Sequence, residues 1–166
     1  MLKKFGKAGI AAAVLLCLDQ YTKYLAVLYL KGKPAIEIIT GILELRYLEN
    51  AGAAFGSMQG MQKVLLCVTI LALAAILYVY RKIPDKRRYF PLRMIAVLLF
   101  SGAVGNMIDR LMQRYVVDFI YVKWIDFPIF NVADCYVTIA AVLLIIFVLF
   151  VYQEEEFSFI REEKKE

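Results

Sequence analysis

The sequence predicts an all-α membrane protein: four transmembrane helices with a small extracytoplasmic sheet. Three observations point there. The 166 residues are 62% hydrophobic with a mean hydropathy of +0.66, whereas a soluble domain is nearer half apolar. The apolar residues gather in four runs, at about 8–30, 64–80, 92–111 and 132–152, each long enough to cross a hydrocarbon core. After the first run, Leu43-Glu44-Leu45-Arg46-Tyr47 alternates with the period of a strand. The whole chain, 1–166, reads as a single integral membrane domain with extracytoplasmic segments at about 31–62 and 112–131.

Composition also excludes chemistry. There is no histidine, so the commonest general base and metal ligand is missing and no Ser/His or Cys/His nucleophile is possible. Cys17, Cys67 and Cys135 lie far apart in sequence and match neither a disulfide framework nor a zinc pattern. They read as small apolar packers. The net charge is +5, but no basic stripe is interleaved with aromatics, so nucleic acid is not an expected partner.

The first run follows Lys3, Lys4 and Lys7. It is too long for a secretory signal and lacks a small-residue cleavage site, so it reads as an uncleaved span. Asp19 and Lys23 interrupt it, four residues apart and therefore on one helix face. Asp19 is roughly 17 Å along the axis from Ala8, near mid-bilayer. Such a pair should face the bundle interior; whether it only pins the helix or also serves function is open at this stage. Lys31-Gly32-Lys33-Pro34 stops the helix. Asn50-Ala51-Gly52-Ala53-Ala54-Phe55-Gly56 offers small residues for close backbone approach. The run at 64–80 holds no acid or amide and reads as scaffold. A basic loop with Pro84 follows. In the third run Ser101 and Gly105 form a small-xxx-small pair that lets another helix approach, while Asn106, Asp109 and Arg110 share a face. Tyr115 to Val122 is β-prone apart from Asp118. Pro128 precedes the fourth run, and the charged tail, EEEFSFIREEKKE, reads as a solvated end.

Lys and Arg are distributed unevenly. The N-terminus, the 81–93 loop and the tail together carry twelve, against seven over the two other segments. The positive-inside rule then puts both termini in the cytoplasm and both extracytoplasmic segments outside.

The polar residues concentrate between Ser101 and Asp134. Charged and amide side chains at a membrane boundary are costly and so mark function. Asp118 follows the third helix and Asp134 opens the fourth, which puts both at one depth. The helix dipole favours an ionised Asp134, while apolar neighbours would raise Asp118. Two adjacent carboxyls share one proton, the arrangement of aspartic proteolysis. An aspartate at a helix edge also serves as a cap, and the residues alone leave both readings open.

Four motifs in order resemble lipoprotein signal peptidase (signal peptidase II) of bacteria, over roughly residues 10 to 150. They are Asp19-Gln20-Tyr21-Thr22-Lys23; Asn50-Ala51-Gly52-Ala53-Ala54-Phe55; Gly105-Asn106 with Asp109-Arg110 and Val116-Val117-Asp118-Phe119; and Phe130-Asn131-Val132-Ala133-Asp134. The resemblance implies an intramembrane aspartic endopeptidase of the bacterial cell membrane, with four helices, an extracytoplasmic β-cradle and an active site near the outer leaflet. It would cut diacylglyceryl-modified prolipoproteins before the lipidated lipobox Cys, among membrane lipids, with no metal or organic cofactor. Asp118 and Asp134 match the catalytic pair. Asn50, Asn106, Asp109, Arg110 and Asn131 match supporting positions, and Asp19 and Lys23 the helix 1 pair. Sensitivity to globomycin-type inhibitors is implied too. Two departures are Arg114, where a Gly is frequent, and Ala140, also a frequent Gly.

Phe55, Phe119, Trp124 and Phe127 are candidate apolar walls for the substrate, with interface anchoring the alternative for Trp124. The rival to a protease is a small proton-coupled carrier or channel subunit using Asp19, Lys23 and Asp109. A non-enzymatic scaffold would leave the Asp and Asn cluster as an unexplained cost.

Overall fold

The structure is a computed structural model that describes residues 2–52 and 61–160. Phe55 and the tail cations Arg161, Lys164 and Lys165, used above, lie outside the described residues. Among the described residues, four helices are long and apolar enough to cross a membrane: α1 (Leu2–Leu30), α2 (Gln62–Lys82), α3 (Phe90–Gln113) and α4 (Val132–Phe150). Three short strands, β1 (Ile36–Ile39), β2 (Leu43–Asn50) and β3 (Val116–Val122), form one antiparallel sheet in the order β1-β2-β3.

α3 is the central helix and packs on α1, α2 and α4. Small residues set its distance from α4. A Cβ built on Gly102 would meet the Ala133 carbonyl oxygen at 2.6 Å, and one on Gly105 would meet Asp19 Oδ2 at 2.5 Å. Ser101, singled out with Gly105, is fully buried, and Gly102 beside it makes the closer approach to α4. Ala140 is also fully buried, in a cluster with Ile83, Leu92 and Ile95, so its methyl is accommodated where α4 meets α3.

The helix ends follow local chemistry. α1 stops at Leu30, where Gly32 adopts φ +71 ahead of Pro34. α3 ends on Arg114 at φ +67, and the chain enters β3 two residues later. That left-handed position favours glycine, so the departure noted at Arg114 falls on a backbone that an L side chain adopts at a cost. Lys4, near the start of α1, is buried. Its ammonium donates to the carbonyls of Tyr80 at 2.8 Å and of Ile83, satisfying the exposed end of α2.

Two expectations change. α1 begins at Leu2 rather than near residue 8, and the tail is not simply solvated. Tyr152 is buried, its hydroxyl donates to the Arg88 carbonyl at 2.7 Å, and Arg88 pairs with Glu156 at 2.9 Å. Residues 152–159 therefore fold back as an aromatic clasp on the α2–α3 connection, with Tyr89 stacked on Tyr152 at 6.0 Å.

Candidate active site

Asp118 is the third residue of β3 and 2% exposed. β3 pairs with β2 on one side, with Asn50 opposite Val116. Strand neighbours two residues apart point to the same face, so Asn50 reaches Asp118: its Nδ2 donates to Asp118 Oδ2 at 2.8 Å. On the other side, the amides of Phe119 and Ile120 both donate to the Phe130 carbonyl, at 3.0 and 2.8 Å. That bridge lays the chain leading into α4 along β3 and sets the next residue, Asn131, beside Asp118.

Asn131 is the N-cap of α4 and is fully buried. Its Oδ1 accepts from the amide of Asp134 at 3.0 Å, and its own amide donates to Asp134 Oδ2 at 3.1 Å, a reciprocal capping box. Its Nδ2 donates to Asp118 Oδ1 at 2.6 Å and to Asn106 Oδ1 at 3.2 Å. One asparagine thus holds both carboxyls. Asn106 Nδ2 completes the frame by donating to Asp134 Oδ1 at 2.7 Å. Asp134 is thus part of the α4 cap and shares Asn131 with Asp118.

Behind this frame lies a buried ionic layer. Lys23 Nζ donates to Asn106 Oδ1 at 2.9 Å and pairs with Asp19 at 3.0 Å and Asp109 at 2.9 Å. All three charged residues are almost wholly buried, so each requires its partner. Asp19 also accepts from the Ala133 amide at 2.9 Å, and Asp109 from the Val117 amide at 3.3 Å. These contacts place Asp19 beside the first turn of α4. The helix starts at Leu2, ahead of Ala8, and Asp19 stands level with the first turn of α4.

Among the described residues, neither Asp109 nor Arg110 is hydrogen-bonded to the Asp118 or Asp134 carboxyl. Asp109 bonds the strand that carries Asp118, and Arg110 donates to the Gly52 carbonyl at 3.2 Å, tying α3 to the segment after Asn50. Gln20, inside the first motif, also joins this layer. Its Nε2 donates to Asp19, Asp109 and the Gly105 carbonyl at 3.1, 3.0 and 3.2 Å. An amide three residues before Lys23, hence on its face, was the available signal.

Phe119 is buried against Ala26, Leu30 and Val117, so it is core rather than an exposed wall. Trp124 is 77% exposed beyond β3, as suits an interface anchor. Phe127 packs edge-on against Phe130 at 5.7 Å.

Burial pushes the Asp118 carboxyl up to about 6, aided by the charge of Asp134 and opposed by the hydrogen bonds from Asn50 and Asn131. A raised carboxyl beside a second one, held by shared donors, can keep a proton near neutrality and hand it to a reacting group.

The family model for signal peptidase II matches residues 11–150. The chain belongs to the signal peptidase II family. It is similar to the lipoprotein signal peptidase of Streptococcus thermophilus, with 38% identity over 90% of this chain and 94% of that one. It is also similar to the enzyme of Streptococcus pyogenes serotype M5, at 35% identity over 90% and 95%. Among solved structures, a bacterial membrane enzyme determined by the in meso method at 2.3 Å resolution superposes with a TM-score of 0.79 and 34% identity, covering 97% of this chain and 94% of that one. A second, at 1.9 Å resolution, gives 0.77 and 36%, covering 89% and 95%. Membership makes this a multi-pass bacterial membrane peptidase that processes prolipoproteins. The carrier reading is not favoured, and the buried acids gather at one end of the bundle rather than along a path across it.

Proposed function

We propose that the protein is an aspartic endopeptidase in which Asp118 and Asp134 share one proton and cut a diacylglyceryl-modified prolipoprotein before its lipidated Cys. The observation that carries this is the double grip of Asn131, which bonds Asp118 through its side chain and Asp134 through its backbone. Asp118, raised by burial, carries the shared proton at rest. Asp134 takes a proton from water as its oxygen attacks the scissile carbonyl carbon. Asp118 gives its proton to the carbonyl oxygen. The tetrahedral adduct then collapses, the C–N bond breaks, and a carboxyl proton passes to the leaving amine.

Asn50, Asn106 and Asn131 hold the two carboxyls in register. Lys23, Asp19 and Asp109 hold Asn106 and β3 in turn. The protein acts as a single membrane domain with both termini cytoplasmic and the acids at the outer leaflet, where a lipidated substrate arrives laterally within the bilayer. A globomycin-type inhibitor would compete at this site.

The experiment is cleavage of a diacylglyceryl-modified lipobox peptide by purified protein, beside Asp118→Asn and Asp134→Asn. Cleavage before the Cys, abolished in both variants, is the expected result. Activity surviving in either folded variant would mean the wrong acids have been paired.

A further inference from the structure

Each carboxyl of the pair is held from behind by an outer acid, through the residue that precedes it. Asp109 Oδ2 accepts from the amide of Val117, one residue before Asp118, at 3.3 Å. Asp19 Oδ1 accepts from the amide of Ala133, one residue before Asp134, at 2.9 Å. A side chain moves with the backbone amide just before it, so the gap between the outer acids is carried to the gap between the inner ones. Asp19 comes from α1 and Asp109 from α3, so neither helix alone fixes that gap. Among the described residues, two side chains span it. Lys23 Nζ pairs with Asp19 at 3.0 Å and Asp109 at 2.9 Å. Gln20 Nε2 donates to Asp19 Oδ2 at 3.1 Å and to Asp109 Oδ1 at 3.0 Å.

The two bridges differ in kind. An ammonium on a flexible stem is a point charge and attracts both carboxylates over a range of separations. The Gln20 amide is planar, and its N–H groups leave the nitrogen in fixed directions. Hydrogen bonds to both acids therefore demand a given distance as well as proximity. The same nitrogen donates to the Gly105 carbonyl at 3.2 Å, which anchors the amide on the α3 backbone. Because the amide is neutral, it sets geometry without adding charge.

We infer that Gln20 is a positioning residue that fixes the separation of Asp118 and Asp134 through Asp109 and Asp19. The inference rests on the proteolytic reading of the pair. Its test uses the purified full chain and the lipobox peptide. Gln20→Met matches the side chain in length but has no donor. Gln20→Asn keeps the amide and is one methylene too short to span both acids. Tyr24→Phe, on an exposed face of α1, is the control.

Gln20→Met should lower kcat between about tenfold and a hundredfold with KM little changed, as a displacement of ~1 Å at the reacting groups predicts. The pH at which kcat/KM declines should also move down, by about half a unit. Carboxyls that part by ~1 Å repel less and release the shared proton more readily. The other charges that bear on the pair stay in place: Lys23 and Asp19 from α1 and Arg110 from α3, with Asp109 beside Lys23. Gln20→Asn should shift the decline in the same direction, and Tyr24→Phe should match the wild type. Activity lost with the decline still at its wild-type pH would make Gln20 a structural support only. A defect confined to KM would make it a substrate contact, and failure of both variants to fold would assign it to stability. Each of these would overturn the inference while leaving the proteolytic reading intact. An inactive wild type would remove that reading, and this inference with it.

Discussion

Asn131 shows how much a single side chain organises here. It caps α4, donates to one carboxyl and positions the other. Asn131→Ala should cost about 1 kcal/mol for the lost cap and on the order of 1–3 kcal/mol more for the donor taken from buried Asp118. Activity should fall about a hundredfold through kcat, with KM little changed, because misplacement of the pair rather than loss of substrate contact is the defect. Chemical denaturation and steady-state kinetics on the same preparation check both parts. Asp118 carries the pH prediction. Its carboxyl is raised from 3.8 to about 6 in the fold, so between those values the folded state keeps a proton that the unfolded chain has released. Stability should therefore fall as pH rises from about 4 to 6, by on the order of 3 kcal/mol. Asp118→Asn should lack that slope. If Asp118 holds the catalytic proton, kcat/KM of the wild type should also decline above about pH 6. A wild-type stability profile that is flat across the window would contradict the buried placement of this group.

At the scale of elements, the junction between α3 and β3 decides where Asp118 stands. Only Arg114 and Tyr115 separate helix from strand, and Arg114 makes the turn at φ +67. Its side chain is exposed, and among the described residues no hydrogen bond from it holds the turn. Arg114→Gly should stabilise the protein by about 0.5–1 kcal/mol, the relief of left-handed strain offset in part by greater freedom of the unfolded chain. A rise in unfolding temperature with activity unchanged is the expected readout. The α3–α4 contact is less forgiving. Gly102 faces the Ala133 carbonyl of α4 at 2.6 Å from any added Cβ, and that closeness is what lets Asn106 on one helix reach Asp134 on the other, while Gly105 gives room to the buried Asp19 carboxylate of α1.

For the whole molecule, the arrangement has one end of sheet and buried polar residues and an opposite end of cations, aromatics and the clasp from Tyr152 to Phe159. The proposed orientation can be tested in intact cells after replacing Cys17, Cys67 and Cys135. A membrane-impermeant thiol reagent should label Ile36→Cys, on exposed β1, and should leave Ser158→Cys unlabelled until the cells are opened. Labelling in the reverse order would invert the topology and put the acids in the cytoplasm.

Hydropathy by itself determined the four spans, because crossing a hydrocarbon core demands a long apolar run whatever the neighbours are. The alternation at Leu43 to Tyr47 and the β-prone stretch around Asp118 also marked the sheet, although the left-handed turn at Arg114 carries no signal in an ordinary Arg. Motif order pointed to Asp118 and Asp134, and each of the supporting polar residues was visible as a cost in an apolar setting. Who bonds whom was not visible. Asp19 and Lys23 read as a local helix pair, yet they join Asp109, Asn106 and the α4 backbone. Gln20 acquired partners 85 and 89 residues away. Glu154 to Phe159, which fold back with Tyr152 as the clasp, read as part of a solvated tail. Those links depend on where α3 and α4 meet and on the bridge from Ile120 to Phe130, and a buried polar atom takes whichever donor the packing presents, so only the tertiary structure could decide them.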